Sequence, residues 1–484
     1  MVATTTESAN EQSVIGRTAR PGTTLAAVAV VQFMVSLDLT VVNVGLPAIG
    51  HGLGFSSVGL TWVIHAYALA FGGLLLLGGK VADRYGHRRV LLFGLALFGL
   101  ASLAGGLAQA PGYLVAARAA QGVGAAALAP AALALLARTF PSGRARVRAF
   151  GVWSAVNASG GAVGVLAGGL LTEYAGWQWV MFINLPMAAV ALALAWRGIA
   201  PDGGTARRGR PDVLGAVLTT AGMVLLVYGV VRTDQYAWTS WQTLTTLAAA
   251  VALLAAFVLV ERNTKSDPLI RLGLLTNRAV AGVNVYMLLL GGTIASALYF
   301  VSLYLQQVLG GSPAVTGAEF LPFALGVVLG SVLAVRLGYR VAPRTILIVG
   351  GVLAAVGFAW FGLMRADGSF LVDALGPSVV ASIGIGLCLA PAVSIATGGV
   401  APHEAGSASG LLNSTRQIGA SLGLAALGTV AHDRSGQSLS PGALSSGYAL
   451  GMMAGAGVLA AAVLIAVFVL PGRKREDDAA AQQS

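Results

Sequence analysis

Four ionisable side chains sit inside stretches that are otherwise almost wholly apolar: Asp38, His65, Arg118 and Glu319. A charge at mid-membrane costs at least about 2.5 kcal/mol on insertion scales, so each is a candidate for function. The chemistry open to them together is proton handling. An arginine beside a carboxylate favours its charged form, burial favours the neutral form, and a conformational change that alters either balance loads or releases a proton. Asp38 and Arg118 also fit a second role, a structural tie between two helices. Glu319 is the candidate contact for cationic substrates. The amides Asn43, Gln121, Asn157, Asn184, Asn284, Gln306 and Gln307 either join helices or line a substrate cavity, and residue type does not choose between these.

The elements that must position these groups are membrane-spanning helices. Fourteen apolar segments are read at 25–46, 58–79, 90–109, 112–137, 149–171, 179–198, 212–231, 241–260, 279–303, 314–335, 345–364, 372–397, 409–430 and 446–470. Each approximates the 20 or so residues a helix needs to cross the hydrocarbon. They are too long and too uniformly apolar for barrel strands. At about 1.5 Å per residue, Asp38 falls roughly 12 Å from the outer end of the first segment. His65, Arg118 and Glu319 fall roughly 9 Å from the outer ends of the second, fourth and tenth. The expectation is one layer of four ionisable groups in the outer half of the membrane, facing a cavity between helices.

Charge supports this reading. Of the 29 Lys and Arg residues, 25 are counted to one side, Arg416 near the start of the 409–430 segment among them, with Arg232, Arg365 and Arg434 opposite and Arg118 within. Cytoplasmic loops carry such an excess, so both termini are expected in the cytoplasm, which requires an even number of spans. Charged residues are 10% of the chain, against about 25% in soluble domains, too few to cover a water-facing surface. The net charge of +11 lies in short loops between apolar helices, where topology and anionic headgroups account for it and nucleic-acid binding is not expected. A single cysteine, Cys388, excludes an intramolecular disulfide, and no residue cluster has metal-ligand spacing. Lys occurs only at 80, 265 and 474, which with the Ala and Gly load points to a bacterial source and its inner (plasma) membrane.

Two longer polar connections divide the chain into a cytoplasmic tail at 1–24, a six-helix bundle at 25–200, a linker and extra helix pair at 201–265, a second six-helix bundle at 266–472 and a tail at 473–484. The extra pair holds few polar groups and is expected to be peripheral and lipid-facing.

Specific motifs then narrow the family. The first span reads Leu37-Asp-Leu-Thr-Val-Val-Asn-Val-Gly-Leu-Pro47, and the following loop holds Gly79, Asp83, Arg84, Gly86, Arg88 and Arg89 as glycine–x–x–x–aspartate–Arg–x–glycine followed by basic residues. The fourth span adds Arg118-Ala-Ala-Gln121-Gly122. Stretches at 307–313, 320–322 and 405–417 agree. Together these resemble the major facilitator superfamily, specifically its drug:proton antiporters with fourteen spanning helices, over residues 25–470. The resemblance implies an all-α integral membrane protein of two six-helix bundles plus a central pair, working by alternating access. It implies proton coupling at Asp38 and Arg118, and a cytoplasmic latch at the loop motif. Gly79 and Gly86 are expected to permit its tight turn, and Asp83 to cap a helix in one state only. The fifth-helix packing motif departs from the family: Gly160, Gly164, Gly168 and Gly169 are kept, the first three as a stripe expected to pack tightly at the bundle interface, but Val165 stands where proline is usual. Gln178 likewise stands between Trp177 and Trp179 where arginine is common.

The expected function is proton-coupled efflux of small amphipathic molecules such as antibiotics. The alternative within the same fold is a proton-coupled importer or a flippase for lipid-like molecules. No Gly-x-x-x-x-Gly-Lys-Ser/Thr loop occurs, so an ATP-driven pump is not expected. No enzyme constellation is present, and no cofactor beyond the proton gradient is expected. The remaining partners are membrane lipids, and the protein is expected to be a monomer.

Overall fold

The computed structural model describes residues 21–471 apart from 141–142, 201–211, 235, 265–271, 399, 401–403 and 437. Both predicted tails, except 21–24, and much of both long polar connections lie outside the described residues. The chain is built from long helices: α1 Pro21–Leu53, α2 Trp62–Tyr85, α3 His87–Gly106, α4 Pro111–Thr139, α5 Gly143–Tyr174, α6 Trp179–Gly198, α7 Val213–Val231, α8 Trp241–Asn263, α9 Arg278–Val308, α10 Pro313–Gly338, α11 Pro343–Phe361, α12 Phe370–Gly398, α13 Ala405–Ser435 and α14 Pro441–Phe468. Helices satisfy every backbone polar group within one segment, which lipid demands. Their starts are written locally. Pro111, Pro313, Pro343 and Pro441 each occupy the first turn, and the Ser312 and Ser440 hydroxyls accept from Val315 and Ala443 backbone N–H groups.

Thirteen of these helices are long and apolar enough to cross a membrane. The one expected span not among them, 409–430, lies in α13, which is 31 residues long but studded with Ser, Thr, Asn, Gln and Arg. Packing covers that polarity, because α13 is bordered by α2, α7, α9, α12 and α14. Arg416, expected in a cytoplasmic connection, lies well inside α13. Arg144, Arg146 and Arg148 also lie on a helix, the first turns of α5.

Packing repeats with an offset of eight helices. In the first half α1 packs on α5 and α6, α4 on α2 and α3, and α3 on α6. In the second half α9 packs on α13 and α14, α12 on α10 and α11, and α11 on α14. Sequence carries a trace of this repeat: Leu128-Ala129-Pro130 in α4 and Leu389-Ala390-Pro391 in α12 put proline at equivalent points of equivalent helices. The halves meet along two seams, α2 on α13 and α5 on α10. The extra pair is only half as peripheral as expected. α8 exposes Leu244, Val251 and Leu259, whereas α7 packs on α2 and α13, over the seam between bundles.

Candidate functional site

Asp38 lies midway along α1 and points into the first bundle. Its carboxylate is wholly buried and takes three donors: Arg118 Nη1 at 2.7 Å, Asn184 Nδ2 at 2.9 Å and Gln121 Nε2 at 3.3 Å. Arg118 also donates from Nε to the Val63 carbonyl at 3.1 Å and from Nη1 to Gln121 Oε1 at 2.9 Å, and lies over the Tyr67 ring at 4.4 Å. Gln121 completes the set by donating to Ser102 Oγ at 2.7 Å. Groups from α1, α2, α3, α4 and α6 thus converge on one ion pair. Charge-assisted bonds of this kind are strong, and removing one member leaves a buried charge exposed to no partner.

The other two expected members of the layer do not join. His65 on α2 is wholly buried, edge-on to Trp62 at 5.7 Å, and neither ring nitrogen has a partner. Glu319 is half-buried on α10, in the second bundle, and forms no hydrogen bond or ion pair with a described residue. The single layer of four groups is therefore corrected to one assembled pair and two separate residues. Geometry also divides the amides. Gln121 and Asn184 belong to the ion-pair network rather than to a substrate cavity, and Asn284 turns back to the Val280 carbonyl.

A different face of α1 meets the rest of the molecule. Gln32 Nε2 donates to Asn157 Oδ1 of α5 at 2.6 Å, and the Ser36 hydroxyl donates to the same oxygen. Farther along, the Asn43 side chain bonds to the Leu39 carbonyl, while its own carbonyl accepts from Ser302 Oγ of α9 at 2.9 Å. Gln306 Nε2 donates to the Val44 carbonyl at 3.0 Å, so two consecutive carbonyls of α1 are held by the second bundle. Beside them Glu173, at the end of α5, accepts from Ser312 Oγ at 2.6 Å and from the Ala314 N–H at 2.8 Å, capping α10 from the opposite bundle. This clasp lies at the face opposite the basic loops. There the bundles enclose a cavity of about 670 Å³ whose lining includes Gln306 and Gln307, and Gln307 accepts from the Tyr448 hydroxyl at 2.9 Å.

The fifth-helix glycines divide between two jobs. A Cβ on Gly160 would lie 2.8 Å from the Phe33 carbonyl, and one on Gly168 2.6 Å from that of Val41, so the stripe through Gly164 seats α5 on α1 inside one bundle. Only Gly169 abuts the other bundle, with Ala314 Cα 3.1 Å from its would-be Cβ. The expectation that the Gly160, Gly164 and Gly168 stripe packs at the bundle interface is corrected accordingly.

In the loop motif Gly86 has φ 100° and separates α2 from α3. Gly79 lies in the body of α2, and it is Gly78 whose would-be Cβ collides with the Ala126 carbonyl of α4. The Asp83 carboxylate accepts from His87 Nε2 at 3.1 Å and has a further partner, while His87 Nδ1 accepts from Arg138 Nη1 at 3.1 Å. Arg88 donates to the Trp196 carbonyl at 2.8 Å and Arg84 lies over the Tyr85 ring at 5.5 Å. Arg89 also has a partner.

With that geometry in place, comparison with known proteins is decisive. A profile of the Major Facilitator Superfamily matches residues 28–424. The chain belongs to that superfamily. It is 42% identical over 465 residues to the cephamycin export protein of Amycolatopsis lactamdurans, covering 95% of each chain. It is 45% identical to the puromycin resistance protein of Streptomyces alboniger, covering 84% of this chain and 81% of that one. The tetracenomycin C resistance and export protein of Streptomyces glaucescens is 36% identical, over 87% of this chain and 78% of that one. Among solved structures, a proton-dependent oligopeptide transporter superposes with a TM-score of 0.67 at 16% identity, over 94% of this chain and 100% of that one, a likeness of fold. As a major facilitator protein the chain is a multi-pass membrane transporter.

Several residues of this facilitator's network are missing from the expected site: Gln32, Ser36, Tyr67, Ser102, Glu173 and Ser302. For some the signal was present. Gln32, Ser36, Thr40 and Asn43 recur at helical spacing and form one polar stripe on α1, whereas Asp38 lies on the far side of that helix from Ser36. Glu173 carries no such mark, because its partner is 139 residues away.

Proposed function

We propose that the protein is a proton-coupled efflux transporter for small amphipathic molecules, antibiotics among them. The observation that carries this reading is identity over 95% of both chains to a protein named for cephamycin export. The basic face is cytoplasmic, both termini lie there, and the membrane is the bacterial inner membrane. The working unit is a monomer.

The geometry supports alternating access. Two bundles with equivalent packing rock about the α2–α13 and α5–α10 seams. The clasp of Ser302, Gln306 and Glu173 holds the outer face, and breaking it lets the outer cavity widen. Asp38 and Arg118 supply the proton step. A proton on Asp38 neutralises the carboxylate and releases Arg118, so loading requires α1 to shift against α4 and α6. The proton gradient drives the cycle, and no other cofactor takes part. Val165 leaves α5 an unbroken helix at the point where antiporters of this type have proline.

The test uses everted membrane vesicles holding an imposed inside-acidic gradient. Substrate added outside should dissipate the gradient in vesicles with the protein and not in those without it. A gradient indifferent to cephamycins, puromycin and a panel of lipophilic cations would overturn the reading.

A further inference from the structure

The two bundles treat their intramembrane charges differently. In the first, Asp38 and Arg118 satisfy one another. In the second, neither Arg416 nor Glu319 forms a hydrogen bond or ion pair with any described residue.

Arg416 is the twelfth residue of α13, roughly 16 Å from the helix start and inside the stretch 409–430 expected to cross the membrane. Gly291 of α9 accommodates it: a Cβ there would collide with the Arg416 carbonyl and lie 3.1 Å from its Cγ. The stem therefore rests against α9. The guanidinium, five N–H donors in a planar fork, is left without a protein acceptor. One turn earlier on the neighbouring sector of the helix, Asn413 is exposed, although five helices border α13. The neighbouring helices thus leave a gap in their cover over this sector of α13. On its other flank α13 forms the inter-bundle seam, where the Ser414 hydroxyl donates to the Gly72 carbonyl of α2. A half-buried guanidinium beside such a gap is costly unless water or an oxyanion completes it. The fork matches a carboxylate or phosphate bidentately.

We propose that Arg416 recognises an oxyanion, in first place a carboxylate, on the molecule that the protein transports. This rests on the export reading for its setting and names the chemistry of the cargo. Glu319, unpaired on α10, gives the same bundle a separate contact for a cationic group.

The experiment is equilibrium binding to the purified full chain in phosphatidylcholine nanodiscs, read by fluorescence anisotropy. The probes are a carboxylate-bearing dye and its neutral methyl ester. Wild type should prefer the acid. Arg416→Gln should weaken acid binding by about tenfold or more, the scale of a charge-assisted hydrogen bond, and leave ester binding unchanged, which also reports an intact fold. Arg416→Lys should restore part of the preference. Absence of preference in the wild type, or equal loss of both probes in both variants, would overturn the inference. So would loss of the wild-type preference in phosphatidylglycerol nanodiscs, by identifying a lipid headgroup as the occupant. Because no gradient is applied, failed efflux with intact acid preference would sink the export reading alone. Intact efflux without that preference would sink this inference alone.

Discussion

Asp38 and Arg118, eighty residues apart in sequence, meet at 2.7 Å with the carboxylate wholly buried. The pair lies inside one bundle, turned away from the face of α1 that touches the other. A group placed there is tied directly to how α1 sits against α4 and α6.

Asp38→Asn should leave the protein in the membrane and able to bind substrate, while abolishing substrate-driven proton flux in everted vesicles. An amide keeps the shape and can accept from Arg118, but it cannot carry the proton. Full coupled flux in this variant would remove Asp38 from the proton path.

Removing one partner should cost more than removing both. Arg118→Met strands a buried carboxylate and should destabilise by about 3–5 kcal/mol, whereas Arg118→Met combined with Asp38→Asn should recover much of that loss. Thermal unfolding in detergent would measure the difference. Equal losses for the single and double variants would show that the ion pair is not the tie.

Glu173→Gln replaces a charge-assisted cap by a neutral one and should loosen the outer clasp, shifting its equilibrium toward the open form. Cys388 is buried and is the only cysteine, so a cysteine introduced at Thr429, which lines the outer cavity, can be labelled selectively. Its labelling should quicken in the Glu173→Gln background. An unchanged rate would show that the clasp does not govern that face.

Gly164→Val and Gly169→Val should fail in different ways. The first drives α5 off α1 within a bundle and should lower the yield of folded protein. The second leaves the bundle intact but keeps Pro313 and Ala314 from closing, so folded protein should accumulate with its outer face accessible to the same label.

Asp83→Asn removes the charged acceptor that His87 holds beside Arg138, and should slow turnover without changing which compounds are carried. A shifted compound profile would place Asp83 in recognition instead.

Much of this was legible before folding. Helix positions follow from apolar runs, and the meeting of Asp38 with Arg118 follows from the cost of leaving either alone in lipid. Helix faces were less legible. Asp38 and Asn43 are five residues apart, well over a quarter-turn round α1, so depth along the helix could not say that one faces inward and the other the opposite bundle. Motif lettering misled in one place: Gly79 belongs to the family pattern, yet Gly78 makes the close approach to α4. Arg416 is expected on the cytoplasmic side from charge counting alone, and only the packing around α13 reveals why it and its polar neighbours Asn413, Ser414, Thr415 and Gln417 are tolerated within a helix.

That tolerance has a bearing on biosynthesis. α13 is the long helix among those described that falls short of the apolarity lipid itself demands, so its entry into the bilayer depends on company. When it emerges from the ribosome, α2, α7 and α9 have already been made, while α14 has not. The carboxy-terminal half expressed alone would offer the flank meant for α2 and α7 to acyl chains. The two halves are therefore partners in insertion before they are partners in transport.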